Sequence, residues 1–559
     1  MSMKKRLLAA LILGVLLLSP AVPAQAADSF SFWVSPDGEK SAEAIQWYKA
    51  ERDYYRFLPG NVDVASLRIG YEGSKSASLN GRAIAQGDSA AILQPGTHCQ
   101  IKAKSTLYNL HIMQGSPDLP ALYITTESGS LNKIHQKKTN KEAGYLVFVN
   151  GAGQVEYAGN LTHIKMRGNS STTFAKKNYQ IKLEKGTNLC GMGKCRTWIL
   201  TGNYRDKSLL RNQITMDMAY YAGLSNTPEH LSAELYINNE YMGLYMFSEK
   251  VMIDDDRIDI SDLEAETEAL NERDLSEYPR TGPVEPAPGK YKAYEIPVNP
   301  ADITGGYLIE FEAYSSRYKE EASVYHTNHK STLVIKSPEY CSEKQMAYIS
   351  AYMQSFENAI FAENGVDPDT GRHYTQLMDM DSLVTKYLVE EVCKNYDGNS
   401  SSMFFYKPSD SQSTVAFAGP VWDYDSAYGS YAREDNADRV LSGSGLWIAN
   451  EQGNKYWWPA LYKQPDFYQA VTEKYESAFL PAMQILLGQR EGGDTLRSLE
   501  EYADEIRLST DMNLIRWPRA KKPNTVAQTG YTFDENVDFL KSFISERMQF
   551  LNDLWLGDH

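Results

Sequence analysis

The forty residues from Glu390 to Gly429 place the tightest limits on what this chain can fold into. Leu383, Val384, Tyr387, Leu388 and Val392 recur at helical spacing, with Asp381 as a candidate N-cap. Asn395-Tyr396-Asp397-Gly398-Asn399 then stops the helix, because Asn, Asp and Gly favour turns and left-handed backbone. Met403 to Tyr406 reads as a buried strand, Lys407-Pro408-Ser409-Asp410 as a turn, and Val415 to Phe417 as a returning strand. Asp423 and Asp425 follow in a loop closed by Gly429. Two carboxylate-bearing loops therefore flank one hairpin and are expected to meet in space. Any single Asp here reads equally well as a solvated surface acid; two acid loops with Trp422 beside them point to a site.

One carboxylate near a transferred proton and another near a divalent metal are the minimum equipment for phosphoryl transfer. Upstream, Leu161 to Met166 reads as a strand, Arg167-Gly168-Asn169-Ser170 as a turn, and Asn178 to Leu183 as the next strand. A glycine-containing turn lets backbone N–H groups approach phosphate, and Arg167 and Lys182 can hold its oxygens. In the second strand Tyr179, Ile181 and Leu183 face one way, Gln180 and Lys182 the other. The alternative for Lys182 is a solvated strand face, and for Arg211, in the first turn of a helix through Met218, a surface ion pair.

Several patterns occur in order: Arg167-Gly168-Asn169-Ser170 followed by Lys176-Lys177-x-Tyr179-x-Ile181-Lys182-Leu183, Arg211-Asn212, and a hairpin around Asn238-Asn239. Lys394-Asn395-x-Asp397 and Gly419-Pro420-x-Trp422-Asp423-x-Asp425-x-x-x-Gly429 complete the set. Together they resemble the spore-coat protein H (CotH) kinase family, over roughly Leu119 to the C-terminal helices. The resemblance implies an α+β, atypical protein-kinase-like fold with a β-rich N-lobe and a helical C-lobe. It implies ATP and Mg2+ or Mn2+ as cofactors, and transfer to Ser or Thr of an extracytoplasmic coat or cell-surface protein. By the same resemblance Asp397 is the catalytic carboxylate, Asp423 the metal ligand and Asp425 its alternative, while Arg167, Lys182 and Arg211 neutralise phosphate charge. One position departs from kinase practice: a metal-binding Asn often stands five residues after the catalytic Asp, and here that residue is Ser402. Asn399 or Asp425 is a substitute, or the protein is a weak kinase or a pseudokinase. No Gly-x-Gly-x-x-Gly or Walker motif is present.

Residues 1–26 read as a cleaved signal peptide: Lys4-Lys5-Arg6, an apolar run Leu7 to Leu18, and Ala24-Gln25-Ala26. An uncleaved anchor is the alternative. No later stretch is apolar enough to span a bilayer. Cleavage removes three cations and no acids, taking the formal charge from −16 to −19. So acidic a chain is a poor nucleic-acid binder and is compatible with a basic protein substrate. Five cysteines are an odd number, and Cys190 and Cys195 are candidates for a small local disulfide; a zinc site lacks a second pair at ligand spacing.

Residues 27–116 alternate like strands separated by Gly, Asn, Asp and Ser turns, predicting a β-sandwich accessory domain without visible chemistry. Residues 117–559 form the kinase-like unit. Within it, about 254–300 is acidic and carries Pro279, Pro283, Pro286 and Pro288, which predicts an inserted loop. Glu310 and Glu312 share one strand face and are further acidic candidates, and Glu249 is a candidate partner for a site lysine. Two other function classes fit the same residues: a noncatalytic surface or coat scaffold with structural Ca2+ at Asp423 and Asp425, and a glycan-active or glycan-binding protein with paired carboxylates.

Overall fold

The computed structural model describes residues 30–283, 287–431, 436–450, 457–518 and 532–557, and residues 1–26 lie outside them. The fold is α+β, and the chain divides into two compact units, residues 1–56 with 63–112, and residues 57–62 with 113–559.

In the first unit Ser31–Ser35 is the centre of a three-stranded sheet. A six-stranded sheet runs, in spatial order, Tyr48–Ala50, Asp53–Leu58, Thr106–Gln114, His98–Ala103, Ala77–Leu79 and Arg82–Ile84. The period-two pattern is plain in His98–Ala103, where Cys99, Ile101 and Ala103 are buried and their neighbours exposed. Trp47 packs its ring 4.3 Å from that of Tyr54 and 5.0 Å from that of Tyr108.

The second unit opens with a closed barrel of seven strands. Around it lie Ala121–Thr126, Lys141–Val149, Val155–Arg167, Asn178–Asn188, Lys194–Thr201, Glu240–Glu249 and His230–Ile237. The last pairs in parallel with the first, Ala121 opposite Glu234 through Ile124 opposite Ile237. Leu122, Phe148, Ile164, Ile181, Trp198 and Phe247 fill its interior. An open sheet, also of seven strands, follows. Its order is Arg280–Thr281, Lys290–Tyr294, Ser323–His326, Thr332–Ser337, Tyr307–Phe311, Met403–Lys407, Phe417–Ala418. Helices Arg211–Tyr221, Glu343–Phe361, Met380–Val392, Leu499–Arg516 and Phe533–Trp555 share the main apolar core with it. No described helix is long and apolar enough to cross a membrane.

Three local expectations change. The segment at 254–300 is built rather than loose where it is described. Asp262 caps the helix Leu263–Leu270 by accepting from Ala265 N at 3.0 Å, and Lys290–Tyr294 is a sheet strand held by Ser323–His326. Burial of Leu263, Thr267 and Ala293 supplies what the acidic, Pro-containing composition hides; Pro286 lies outside the described residues. The cap of Met380–Val392 is Asp379, which accepts from Ser382 N at 2.8 Å, not Asp381. All five cysteines are free thiols: Cys190 sits in a turn at φ 52°, and the Cys195 sulfur accepts from Thr197 N at 3.3 Å.

Candidate active site

Helix Met380–Val392 ends in a knot of polar residues. Lys394, at φ 45°, turns the chain, and its ammonium donates to the carbonyls of Arg439, Ser442 and Ser444 at 2.7, 2.8 and 2.8 Å. Glu390, fully buried, receives Lys386 Nζ at 2.6 Å and Tyr424 OH at 2.7 Å on one oxygen, and Asn395 Nδ2 at 2.8 Å on the other. Asn395 belongs to the first acid loop and Tyr424 to the second, so one carboxylate ties both loops to the helix end. Tyr424 points inward, and Asp423 and Asp425 on either side of it line the cleft. Asp423 sits at φ 72°, left-handed backbone that is uncommon for a residue with a side chain.

The second loop is also held from the Arg211–Tyr221 helix. Asn212 Oδ1 accepts from Tyr424 N at 2.6 Å, and Arg211 Nε donates to Ala427 O at 3.0 Å. Tyr428 N donates to Cys393 O at 2.7 Å and closes the tie between loops.

These loops floor a cleft of about 1410 Å³. Asp397, Ser402, Asp423 and Asp425 line it together with Glu310 and Glu312 of the Tyr307–Phe311 strand and its end. Facing them are Lys165 and Arg167 from one barrel strand, Lys250 from the end of another, Arg205 before the Arg211 helix, and Lys336 from the open sheet. Arg167 rests its guanidinium 4.7 Å from the centre of the Trp422 ring. Lys336 pairs with Glu321 at 3.0 Å and Glu310 at 3.6 Å. The side chains of Lys165, Arg167, Lys250 and Arg205 make no hydrogen bond or ion pair among the described residues.

The charges press on one another. Burial, and then the charge of Asp423, pushes the Asp397 carboxyl up to about 6 and that of Asp425 up to about 7. Arg205 opposes the rise at both. Burial lowers Lys250, and then Arg167, Lys336 and Lys165 lower it further. Glu312 rises to about 7, chiefly through burial, although Arg317 Nη1 donates to it at 3.2 Å. Buried carboxylates and cations with shifted pKa values gathered in one cleft mark it as a candidate functional site.

Among the residues expected at the site, Arg167, Asp397, Asp423 and Asp425 line this one cleft. Lys182 and Arg211 do not line it. Gln180 reaches the cleft, but Lys182 lies two residues deeper in the strand, opposite His163 and Thr197. Arg211 is fully buried, and its donors go to Asp206, Ser208, Ala427 and Tyr428, so it positions the acid loop. Glu249 pairs with Arg257 at 2.8 Å, not with a site lysine. Sequence reasoning passed over Lys165, Arg205, Lys250, Lys336 and Glu390. Two signals were there to read: Lys165 lies two residues before Arg167 on the same strand face, and Lys386 stands one helical turn before Glu390.

No group of three or more His, Cys, Asp or Glu among the described residues is gathered so as to hold a metal alone. Asp423 and Asp425 nevertheless fit a hard divalent cation of the Mg2+ kind, which uses one or two carboxylates and takes the rest from phosphate and water. Their crowded negative charge, met only in part by Arg205, is the donor chemistry such an ion requires.

A search of curated proteins finds no match. The family model described as CotH kinase protein matches residues 164–551. That span includes every cleft-lining residue from Lys165 to Asp425 and well over half of the 559 residues. The chain therefore belongs to the CotH kinase family.

Proposed function

We propose that this protein transfers the γ-phosphoryl group of ATP to a Ser or Thr hydroxyl of an extracytoplasmic protein. Family membership supports a kinase-type enzyme; the finer statement rests on the cleft. The observation that carries it is the pair of acid loops tied through Glu390, presenting Asp397, Asp423 and Asp425 in one cleft with Lys165, Arg167, Lys250 and Arg205, whose side chains pair with no described residue. In this reading Asp397 orients the acceptor hydroxyl and takes its proton; at about 6 its carboxyl is ionised at neutral pH and still basic enough to accept. Asp423 and Asp425 would hold the divalent ion, which supplies charge neutralisation on the phosphates. Arg167, Lys165 and Lys250 bind phosphate oxygens, taking the roles expected of Lys182 and Arg211. Ser402 Oγ donates to Asp423 Oδ2 at 3.4 Å and helps orient that carboxylate where other kinases place an Asn.

The same reading takes the β-rich part of the second unit as the counterpart of a kinase N-lobe and the helices as its C-lobe. Residues 27–116 are then a β-sandwich accessory domain. Residues 1–26 act as a signal peptide, and the mature protein works outside the cytoplasm, on a cell surface or spore coat. The test is transfer of labelled phosphate from ATP with Mg2+ or Mn2+ by purified mature protein. Asp397→Asn should keep nucleotide binding and lose turnover by a factor on the order of 10² or more. Equal, nonzero activity in parent and Asp397→Asn would remove Asp397 from the chemistry.

A further inference from the structure

Two arginines elsewhere in this protein, Arg547 and Arg257, spend their donors on protein acceptors. Arg547 donates to the carbonyls of Gly443 at 3.0 Å, Gly445 at 2.6 Å and Glu391 at 2.7 Å, and to the Glu391 carboxylate at 2.5 Å. Arg257 serves Glu249 at 2.8 Å and Asp254 at 2.7 Å. Arg205 serves none: no described residue accepts from it, though it lines the cleft and is only half-buried. Its guanidinium instead rests against two rings, 4.9 Å from the centre of Phe174 and 4.4 Å from that of Tyr431. Ring contact consumes none of the cation's N–H donors, so the fork that matches a phosphoryl group has no described acceptor.

The mounting ties Arg205 to the reacting groups. Tyr431 follows the Asp423–Gly429 loop, and its ring meets Tyr396 edge-on at 5.2 Å, next to Asp397 in sequence. Phe174 closes the short helical turn Ser170–Thr173 that follows Arg167-Gly168. Asp206, the next residue, is pinned by Ser208 Oγ at 2.7 Å and by Arg211 N at 2.8 Å, so the backbone beneath Arg205 is fixed. Arg167 stands over Trp422 beside Asp423, and Arg205 acts on Asp397 and Asp425.

We propose that Arg205 binds the γ-phosphoryl group during transfer, as the guanidinium on the acceptor side of the cleft with Arg167 on the nucleotide side. The proposal rests on the kinase reading above. In the step it serves, the acceptor hydroxyl oxygen forms a new bond to the γ-phosphorus as the bond from that phosphorus to the β,γ-bridging oxygen breaks. The electron pair of the broken bond stays on the ADP oxygen, and the hydroxyl proton passes to the Asp397 carboxylate. The in-plane donors of Arg205 meet the non-bridging oxygens as charge builds on them, an interaction stronger in the transition state than in the bound nucleotide.

Steady-state kinetics with ATP and a protein substrate test this in the full chain. Arg205→Ala should lower kcat on the order of 10², with KM for ATP changed by less than about threefold. Arg205→Lys, which keeps charge without the fork, should fold like the parent and lose about tenfold in kcat. Calorimetry adds a second readout: ADP with aluminium fluoride should bind the parent more tightly than ADP alone, and Arg205→Lys should lose most of that gain. Unchanged kcat in both variants of an active parent overturns the role of Arg205 and leaves the kinase reading standing. Unchanged kcat with a raised KM for the protein substrate also overturns it and assigns Arg205 to an acidic or phosphorylated residue of that substrate. A parent that transfers no phosphate removes the kinase reading and the proposal together.

Discussion

Two sets of carboxylates lie close together in this protein and behave as opposites. Glu390 and Glu391, at the end of one helix, are fully buried, and all four oxygens are used. Glu391 alone takes Trp447 N at 2.6 Å, Ile448 N at 2.9 Å, Ala449 N at 3.2 Å and the Arg547 guanidinium at 2.5 Å. Among the described residues, Asp423, on the cleft floor, receives a single 3.4 Å side-chain bond, from Ser402, and Asp425 a 3.1 Å bond from Ser426. A buried charge whose lone pairs are all met is part of the scaffold, because removing either partner strands the other. A carboxylate left with open lone pairs at the foot of a cleft is kept for something that arrives later.

Breaking each set should separate them. The largest effect is expected for Glu391→Ala, which strands Arg547 and three backbone N–H groups; chemical denaturation should show a loss of about 3–5 kcal/mol. A loss under about 1 kcal/mol would place Glu391 with the aspartates and undo the contrast. Asp423→Ala should do the reverse. Its affinity for ATP with Mg2+ should fall tenfold or more, about 1.4 kcal/mol, with no loss of folding stability. Unchanged affinity by calorimetry would take Asp423 out of the metal role.

The smallest effect sharpens the comparison through pH. Asp397 and Asp425 rise in the folded state to about 6 and about 7, above the ordinary aspartate value of 3.8. Their raised values add stability that is fully present below about pH 4 and lost as pH climbs through about 6 and 7. Nucleotide-free protein should therefore lose melting temperature across that window on account of this pair. Burial comes first among the causes, so Asp423→Ala should shallow the fall without abolishing it. Superimposable profiles for parent and variant would mean that the aspartates do not feel one another.

How much of this was legible follows from sequence distance. The acid loops could be read because helix, hairpin and both loops fall between Met380 and Gly429 and carry their own stop signals. Barrel closure could not, since Ala121–Thr126 finds His230–Ile237 across more than a hundred residues and nothing local announces a parallel partner. Lys182 shows the same limit on a smaller scale. Alternation chose its strand face correctly, but where along the strand the cleft begins depends on how the neighbouring strands stagger. Arg205 and Lys250 are lone cations without a pattern around them, visible as site residues only once the opposite wall exists. The segment at 254–300 misled because its buried apolar residues, Ile258, Leu263, Leu275, Ala293 and Ile296, are diluted among acids and prolines.

The way the sheets of the second unit end has a consequence for the protein in company. A closed barrel has no outer strand, and the open sheet finishes at both sides in strands of two residues, Arg280–Thr281 and Phe417–Ala418. Edge-to-edge association needs a run of unpaired amides long enough to template a visiting strand, and two residues do not provide one. Among the described residues, the outermost strands of this unit's open sheet are therefore short templates for a strand of a second copy.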